Sequence, residues 1–210
     1  TEAYIPLLLL LERLVEEGVD FRLTFSLTPT LASMLLDPLL QSRYLRRLER
    51  LIELADREIH RTRSHPEFNS LARMYFQRFQ QIRTAYIDRY RRDLISPLQK
   101  LQGSGKVEII AGAATHGYLP LLSVNPSAVR AQVRVGVEFY RQLFGRRPKG
   151  FWLPECGYYA GVEEVLWEHG VRYMILETHG ITRADPRPRY GVFGPIYRPS
   201  GVAAFGRDPE

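Results

Sequence analysis

Between Lys106 and Leu176 short apolar runs alternate with helical patterns, and this succession limits the fold more than any other feature of the chain. Lys106-Val-Glu-Ile-Ile-Ala, Lys149-Gly-Phe-Trp-Leu-Pro and Val171-Arg-Tyr-Met-Ile-Leu read as strands. After the Asn125-Pro126 cap, Val129, Val133, Val137 and Phe144 recur at helical spacing until Gly145 closes the pattern. Val162 to His169 reads as a second helix. Strand, helix, strand, helix, strand with short connections requires parallel strands and crossover helices, hence an α/β sheet or barrel.

Upstream, Tyr4 to Gly18 predicts an amphipathic helix, Phe21 to Thr28-Pro29 a strand leaving into a turn, and Thr30 onward a helix interrupted at Pro38. Two long helical stretches follow, Ser42 to Arg63 and Phe68 to Lys100, the second bracketed by His65-Pro66 and Pro97. The tail after Thr182, rich in Pro, Gly and Arg, predicts a long loop over the sheet. The expected organisation is a barrel segment over 1–40, a helical insertion over 41–100, and a barrel segment with a long loop over 101–210.

Composition narrows the function classes. With 210 residues, 45% hydrophobic and 25% charged, the chain can bury a core and is not disordered. No stretch approaches the roughly 20 apolar residues of a membrane span, and Ile5 to Leu11 lacks the flanks of a signal peptide. The single Cys156 excludes a disulfide framework and a cysteine-built zinc site, so a reducing, cytoplasmic location is the expectation. The net charge of +6 invites a nucleic-acid reading. Residues 41–100, however, hold 14 Lys and Arg against 7 Asp and Glu, and the remainder holds 15 against 16. The basicity thus belongs to one helical segment, and no nucleic-acid motif accompanies it, so neither nucleic acid nor membrane is an expected partner.

In parallel α/β folds ligands bind at the carboxyl ends of the strands. The residues just past three successive strands include His116, Glu155 and His179, with Tyr118, Trp152 and Tyr158 beside them. Taken singly, such a His is usually structural and such a Glu a cap or ion-pair partner. Together they suit a sugar site: aromatic faces stack on pyranose rings, and carboxylates and imidazoles bond hydroxyls and act at the anomeric carbon. A metal held by His116, His179 and Glu155 is the rival, without the local spacing of a metal motif. Cys156 lacks a catalytic-cysteine pattern and reads as a buried thiol.

Gly105-Lys-Val-Glu-Ile-Ile-Ala-Gly-Ala-Ala-Thr-His-Gly-Tyr-Leu-Pro and Gly150-Phe-Trp-Leu-Pro-Glu-Cys-Gly-Tyr resemble the second and third motifs of glycoside hydrolase family 57, in the form carried by its 1,4-α-glucan branching enzymes. The segments Pro6 to Leu36 and Gly-Val-Arg-Tyr-Met-Ile-Leu-Glu-Thr-His, ending at His179, are similar to the same subgroup. The resemblance implies a distorted (β/α)7 barrel, present in part, and a retaining mechanism on α-glucans without cofactor or metal. It places Glu155 as the nucleophile, with His116, Trp152 and His179 around the sugar; Tyr118 and Tyr158 are candidate walls. It also implies a His-x-His motif ahead of Thr1 and an acid/base Asp beyond Glu210, since Asp185 and Asp208 lie in contexts that do not match. Hydrolytic α-amylase or 4-α-glucanotransferase action, and glucan binding without chemistry, are the alternatives.

Overall fold

A computed structural model describes residues 1–208. In chain order its elements are α1 (Tyr4–Glu16), β1 (Leu23–Ser26), α2 (Pro29–Leu36), α3 (Pro38–Arg61), α4 (Pro66–Thr84), α5 (Ile95–Gly103) and β2 (Val107–Gly112). Then follow α6 (Leu119–Leu122), α7 (Pro126–Phe144), β3 (Gly150–Trp152), α8 (Val162–Glu168), β4 (Tyr173–Leu176), α9 (Thr178–Thr182), β5 (Ile196–Tyr197) and β6 (Ala203–Gly206). They fall into two compact units.

Residues 1–21 and 33–106 form the helical unit. Asp37 starts α3 by accepting the Leu40 N–H at 2.8 Å, with Pro38 at the first helical position, where its missing N–H costs nothing. α3 and α4 pack along each other, with Leu48, Ala55, Phe79 and Ile82 buried. Their connection is pinned by the Asn69 amide, which donates to the Ile59 carbonyl at 2.7 Å and to the Thr62 hydroxyl at 3.2 Å. The second helical stretch does not run to Lys100 as the sequence suggested. α4 passes into a π-helical turn at Ala85–Arg89, and Arg91 and Arg92 then take positive φ. Asp93 restarts the helix by accepting the N–H groups of Ile95 and Ser96 at 2.8 and 3.0 Å. Pro97 falls in the first turn of α5, among donors that are unpaired in any helix, so it begins a helix instead of ending one. The arginines of 41–100 are exposed except for half-buried Arg78, and Arg61, Arg83 and Arg89 pair with Glu58, Glu49 and Glu12. The concentrated charge is a solvated surface.

Residues 22–32 and 107 onward form the sheet unit. Its six strands lie in the order β1-β2-β3-β4-β6-β5, all parallel except the β5–β6 pair. The first four follow one another in sequence without reversal, which is the winding of a (β/α) barrel and not of a doubly wound sheet with a switch point. The described sheet thus winds as part of the (β/α) barrel that the resemblance implied. The tail contradicts the long-loop expectation: β6 adds to β4, from Tyr173 opposite Ala203 to Leu176 opposite Gly206, and β5 folds back on β6. The run Val202-Ala-Ala is short and built of small residues, so it carries little strand signal of its own. Val202, Ala203 and Ala204 are buried all the same, because β4 supplies the ladder.

α7 packs on β2 through an unusually close approach. A Cβ built at Gly136 would stand 2.1 Å from the Gly112 carbonyl oxygen, a backbone atom that cannot swing aside. An alanine in a helix ordinarily stabilises, by about 1 kcal/mol over glycine. Here the collision reverses the sign: Gly136→Ala should cost about 3 kcal/mol, read as a lowered urea midpoint with an unchanged slope.

Candidate active site

The sheet register aligns the ends of the strands. Gly112 lies opposite Trp152, Trp152 opposite Ile175, and Leu176 opposite Gly206. The segments that follow, 113–118, 153–158, 177–179 and 207, therefore emerge at one edge. His116 and Glu155 meet there, with Nε2 3.1 Å from Oε1. A carboxylate can only accept, so the imidazole Nε2 carries the proton of this bond. His116 Nδ1 is buried without a hydrogen-bonding partner among the described residues.

Each partner is presented by a constrained loop. Gln132 of α7 holds the His116 loop from below: its side chain accepts the Thr115 N–H at 3.0 Å and donates to the Thr115 hydroxyl at 2.8 Å. Its carbonyl accepts the Ala114 N–H at 3.0 Å. Glu155 sits on a single 3-10 turn, Pro154–Cys156, directly after β3. Three non-glycine residues of these two loops take left-handed backbone: His116 at φ 56°, Glu155 at φ 51° and Cys156 at φ 53°. Each costs of order 1–3 kcal/mol, and such strain collects where a side chain must point somewhere specific. The effect is visible: the Glu155 side chain is 75% exposed, although Leu153, Pro154 and Cys156 around it are buried. Tyr118 ties the two loops together, since a Cβ at Gly157 would stand 2.3 Å from its ring.

The other expected residues divide. Trp152 ends β3, half-buried beside the Glu155 turn. His179 stands exposed in the first turn of α9. Among the described residues no three His, Cys, Asp or Glu side chains come together as metal ligands. Burial pushes the Cys156 thiol up, with Arg207 opposing and Glu177 and Glu155 assisting. Tyr158 turns its hydroxyl to both oxygens of Glu163, at 3.2 Å, and the Arg198 guanidinium lies 5.8 Å from its ring centre. Burial and the Glu163 charge push the Tyr158 hydroxyl up to about 12.

Gln132, Glu163, Arg198 and Arg207 escaped the sequence reading. Nothing marks them locally: each acts across a long sequence separation from a helix or from beside a strand that composition hid. Glu163 is the clearest case, a carboxylate only 4% exposed on α8. Burial would raise it, but its own backbone N–H, Arg198 at 3.0 Å and the Gly161 N–H outweigh burial and hold it below the usual carboxylate range.

Comparison with known proteins gives the family and the fold. The family described as Glycosyl hydrolase family 57 matches residues 1–210. A 1,4-alpha-glucan branching enzyme of Thermococcus kodakarensis is 34% identical over all of this chain and 34% of its own length. The crystal structure of an alpha-amylase from Thermotoga maritima superposes with a TM-score of 0.91 and 43% identity, covering 100% of this chain and 40% of that one. That of a branching enzyme from Pyrococcus horikoshii superposes with a TM-score of 0.89 and 31% identity, covering 98% and 41%. The chain spans between a third and about two fifths of the length of the curated relatives it matches.

A carboxylate held below its unfolded value contributes stability above that value and loses it as pH falls through the folded one. Glu163→Gln should therefore destabilise by about 2 kcal/mol at neutral pH, Arg198 being partly solvated, and by progressively less in acid. Urea midpoints of both proteins from pH 7 down to pH 3 check this; the two curves should converge at the acid end.

Proposed function

The chain belongs to glycosyl hydrolase family 57, and from that membership we propose that its strand-end site transfers glycosyl groups within α-glucans, with Glu155 as the nucleophile. One observation carries the reading: the exposed Glu155 carboxylate sits on a strained strand-end turn with one oxygen held by His116 at 3.1 Å. With Oε1 engaged, Oε2 is free to attack. It would bond to the anomeric carbon as the bond to the leaving O4 breaks, and a second carboxyl group about 5–5.5 Å away would protonate that oxygen. The same group, now a carboxylate, would take the proton from an acceptor hydroxyl as that oxygen displaces Glu155 and restores the original configuration.

The acceptor decides the product. A glucan 6-hydroxyl gives an α-1,6 branch, and branching, in cytoplasmic synthesis of a storage polysaccharide, is the reading we adopt. The family-57 relative of Thermococcus kodakarensis, named as a branching enzyme, supports it. Water as acceptor gives hydrolysis, and the 43% identity to the Thermotoga maritima alpha-amylase is the observation that favours this second reading. Transfer to water is suppressed only where the closed site excludes it. Trp152 and Tyr118 are the proposed walls, with His179 and Tyr158 at the margin. Residues 41–100 would then be a helical insertion between barrel elements.

In the complete gene product, Glu155→Gln should reduce kcat on amylose roughly 10⁴-fold or more while leaving glucan binding within a few-fold. Turnover close to the parent's would remove the proposed nucleophile. Proton spectra of the amylose product distinguish the two acceptors. New α-1,6 anomeric signals are expected, and shortened linear chains alone would establish hydrolysis instead.

A further inference from the structure

The chain leaves β2 along the face of α7. A Cβ at Gly136 would stand 2.1 Å from the Gly112 carbonyl oxygen and 3.6 Å from the Ala113 Cα, so the end of β2 lies directly on the helix there. Gln132 stands one turn earlier on the same face of α7. Its carbonyl accepts the Ala114 N–H at 3.0 Å. Its side-chain oxygen accepts the Thr115 N–H at 3.0 Å, and its side-chain N–H donates to the Thr115 hydroxyl at 2.8 Å. On the other side of His116, a Cβ at Gly117 would stand 3.5 Å from the carboxamide carbon. One side chain therefore lies against both chain neighbours of a residue held at φ 56°.

Main-chain bonds do not do this by themselves. The Ala114 bond to the Gln132 carbonyl survives any substitution at 132, but it stops two residues short of His116. The His116 N–H donates to the Ala113 carbonyl at 3.3 Å, which closes a turn inside the loop without tying it to the helix. The Thr115 N–H belongs to the last peptide plane but one before His116, and the Gln132 carboxamide is what fixes it. The imidazole has few attachments of its own. Nε2 bonds Glu155 Oε1 at 3.1 Å, and the buried Nδ1 has no hydrogen-bonding partner among the described residues. A catalytic histidine is commonly oriented by a carbonyl or carboxylate on its second nitrogen. For His116 the loop supplies the orientation, and Gln132 holds the loop.

We infer that Gln132 is a positioning residue: it imposes the left-handed conformation of His116 and so sets Nε2 on the Glu155 carboxylate. The inference rests on Glu155 being the nucleophile. It gives α7 a part in catalysis that passes entirely through His116.

The test uses Gln132→Met, Gln132→Glu, His116→Ala, the double variant of Gln132→Met with His116→Ala, and Glu155→Gln, each in the complete gene product, with kcat and KM measured on amylose. Methionine keeps the length of the side chain and loses both bonds. Glutamate keeps both, because one oxygen accepts the Thr115 N–H and the Thr115 hydroxyl can donate to the other. Gln132→Met should lower kcat about 10- to 100-fold with KM changed less than about threefold, the pattern of a misaimed group and not of lost binding. Gln132→Glu should recover most of that loss. The double variant should match His116→Ala within about threefold, since a residue that works only through His116 then has nothing left to position. Three results overturn the proposal: unchanged kcat in Gln132→Met, a Gln132→Glu as slow as Gln132→Met, or a double variant slowed by the product of the two single losses. With Glu155→Gln inactive beside them, the nucleophile stands and the proposal falls alone. An active Glu155→Gln overturns the nucleophile, while the cycle between Gln132 and His116 still decides whether one positions the other. Should Gln132→Met not fold, Gln132→Asn, one methylene short of the loop, carries the same readouts with the same expected directions.

Discussion

The left-handed pair at Glu155 and Cys156 is the constraint around which the sheet unit is arranged. Two such residues together cost several kcal/mol by themselves, a large share of the roughly 5–15 kcal/mol that holds a domain folded. They persist because every neighbouring strand end contributes an attachment. β2 supplies His116 on the carboxylate and Tyr118 against Gly157, and the segment after β4 supplies the Glu177 N–H on the Cys156 carbonyl. Without the turn, Glu155 would follow the alternation of β3 and point at the sheet. With it, the carboxylate stands in the open at the carboxyl edge.

The β5–β6 hairpin extends the same logic. Arg198, ahead of β6, pairs with buried Glu163, which in turn receives the Tyr158 hydroxyl. Arg207, behind β6, pairs with Glu177. Two arginines at opposite ends of one strand therefore anchor the segments on either side of the Glu155 turn. Burying Glu163 is tolerable because its oxygens are met by a guanidinium, a phenol and a backbone N–H, so little desolvation cost remains uncompensated.

Much of this was legible in the chain itself. The period of Val129, Val133 and Val137 and the runs at 106–111 and 171–176 found α7, β2 and β4, because their burial is continuous enough to leave a pattern. The same reasoning put His116 and Glu155 at neighbouring strand ends, and they are in contact. It lost β6 because alanines carry no strand signature, and it ran the second long helix past Tyr90 because positive φ at two arginines has no local marker. It could not see Arg207 or Gln132, whose roles come from partners distant in sequence. Tyr158 shows a further limit: its position next to the turn suggests a wall for sugar, and nothing in the pattern marks the bond from its hydroxyl to Glu163.

The central claim is that a covalent bond forms at one named oxygen-bearing residue. A fluorinated α-glucosyl fluoride, whose good leaving group needs no protonation, tests it by slowing release of the glycosyl-enzyme enough to isolate it. Peptide mapping of the trapped protein by mass spectrometry should find one added sugar on the peptide containing Glu155, at Glu155 itself. A sugar on any other carboxylate, with Glu155 unlabelled, would contradict the account.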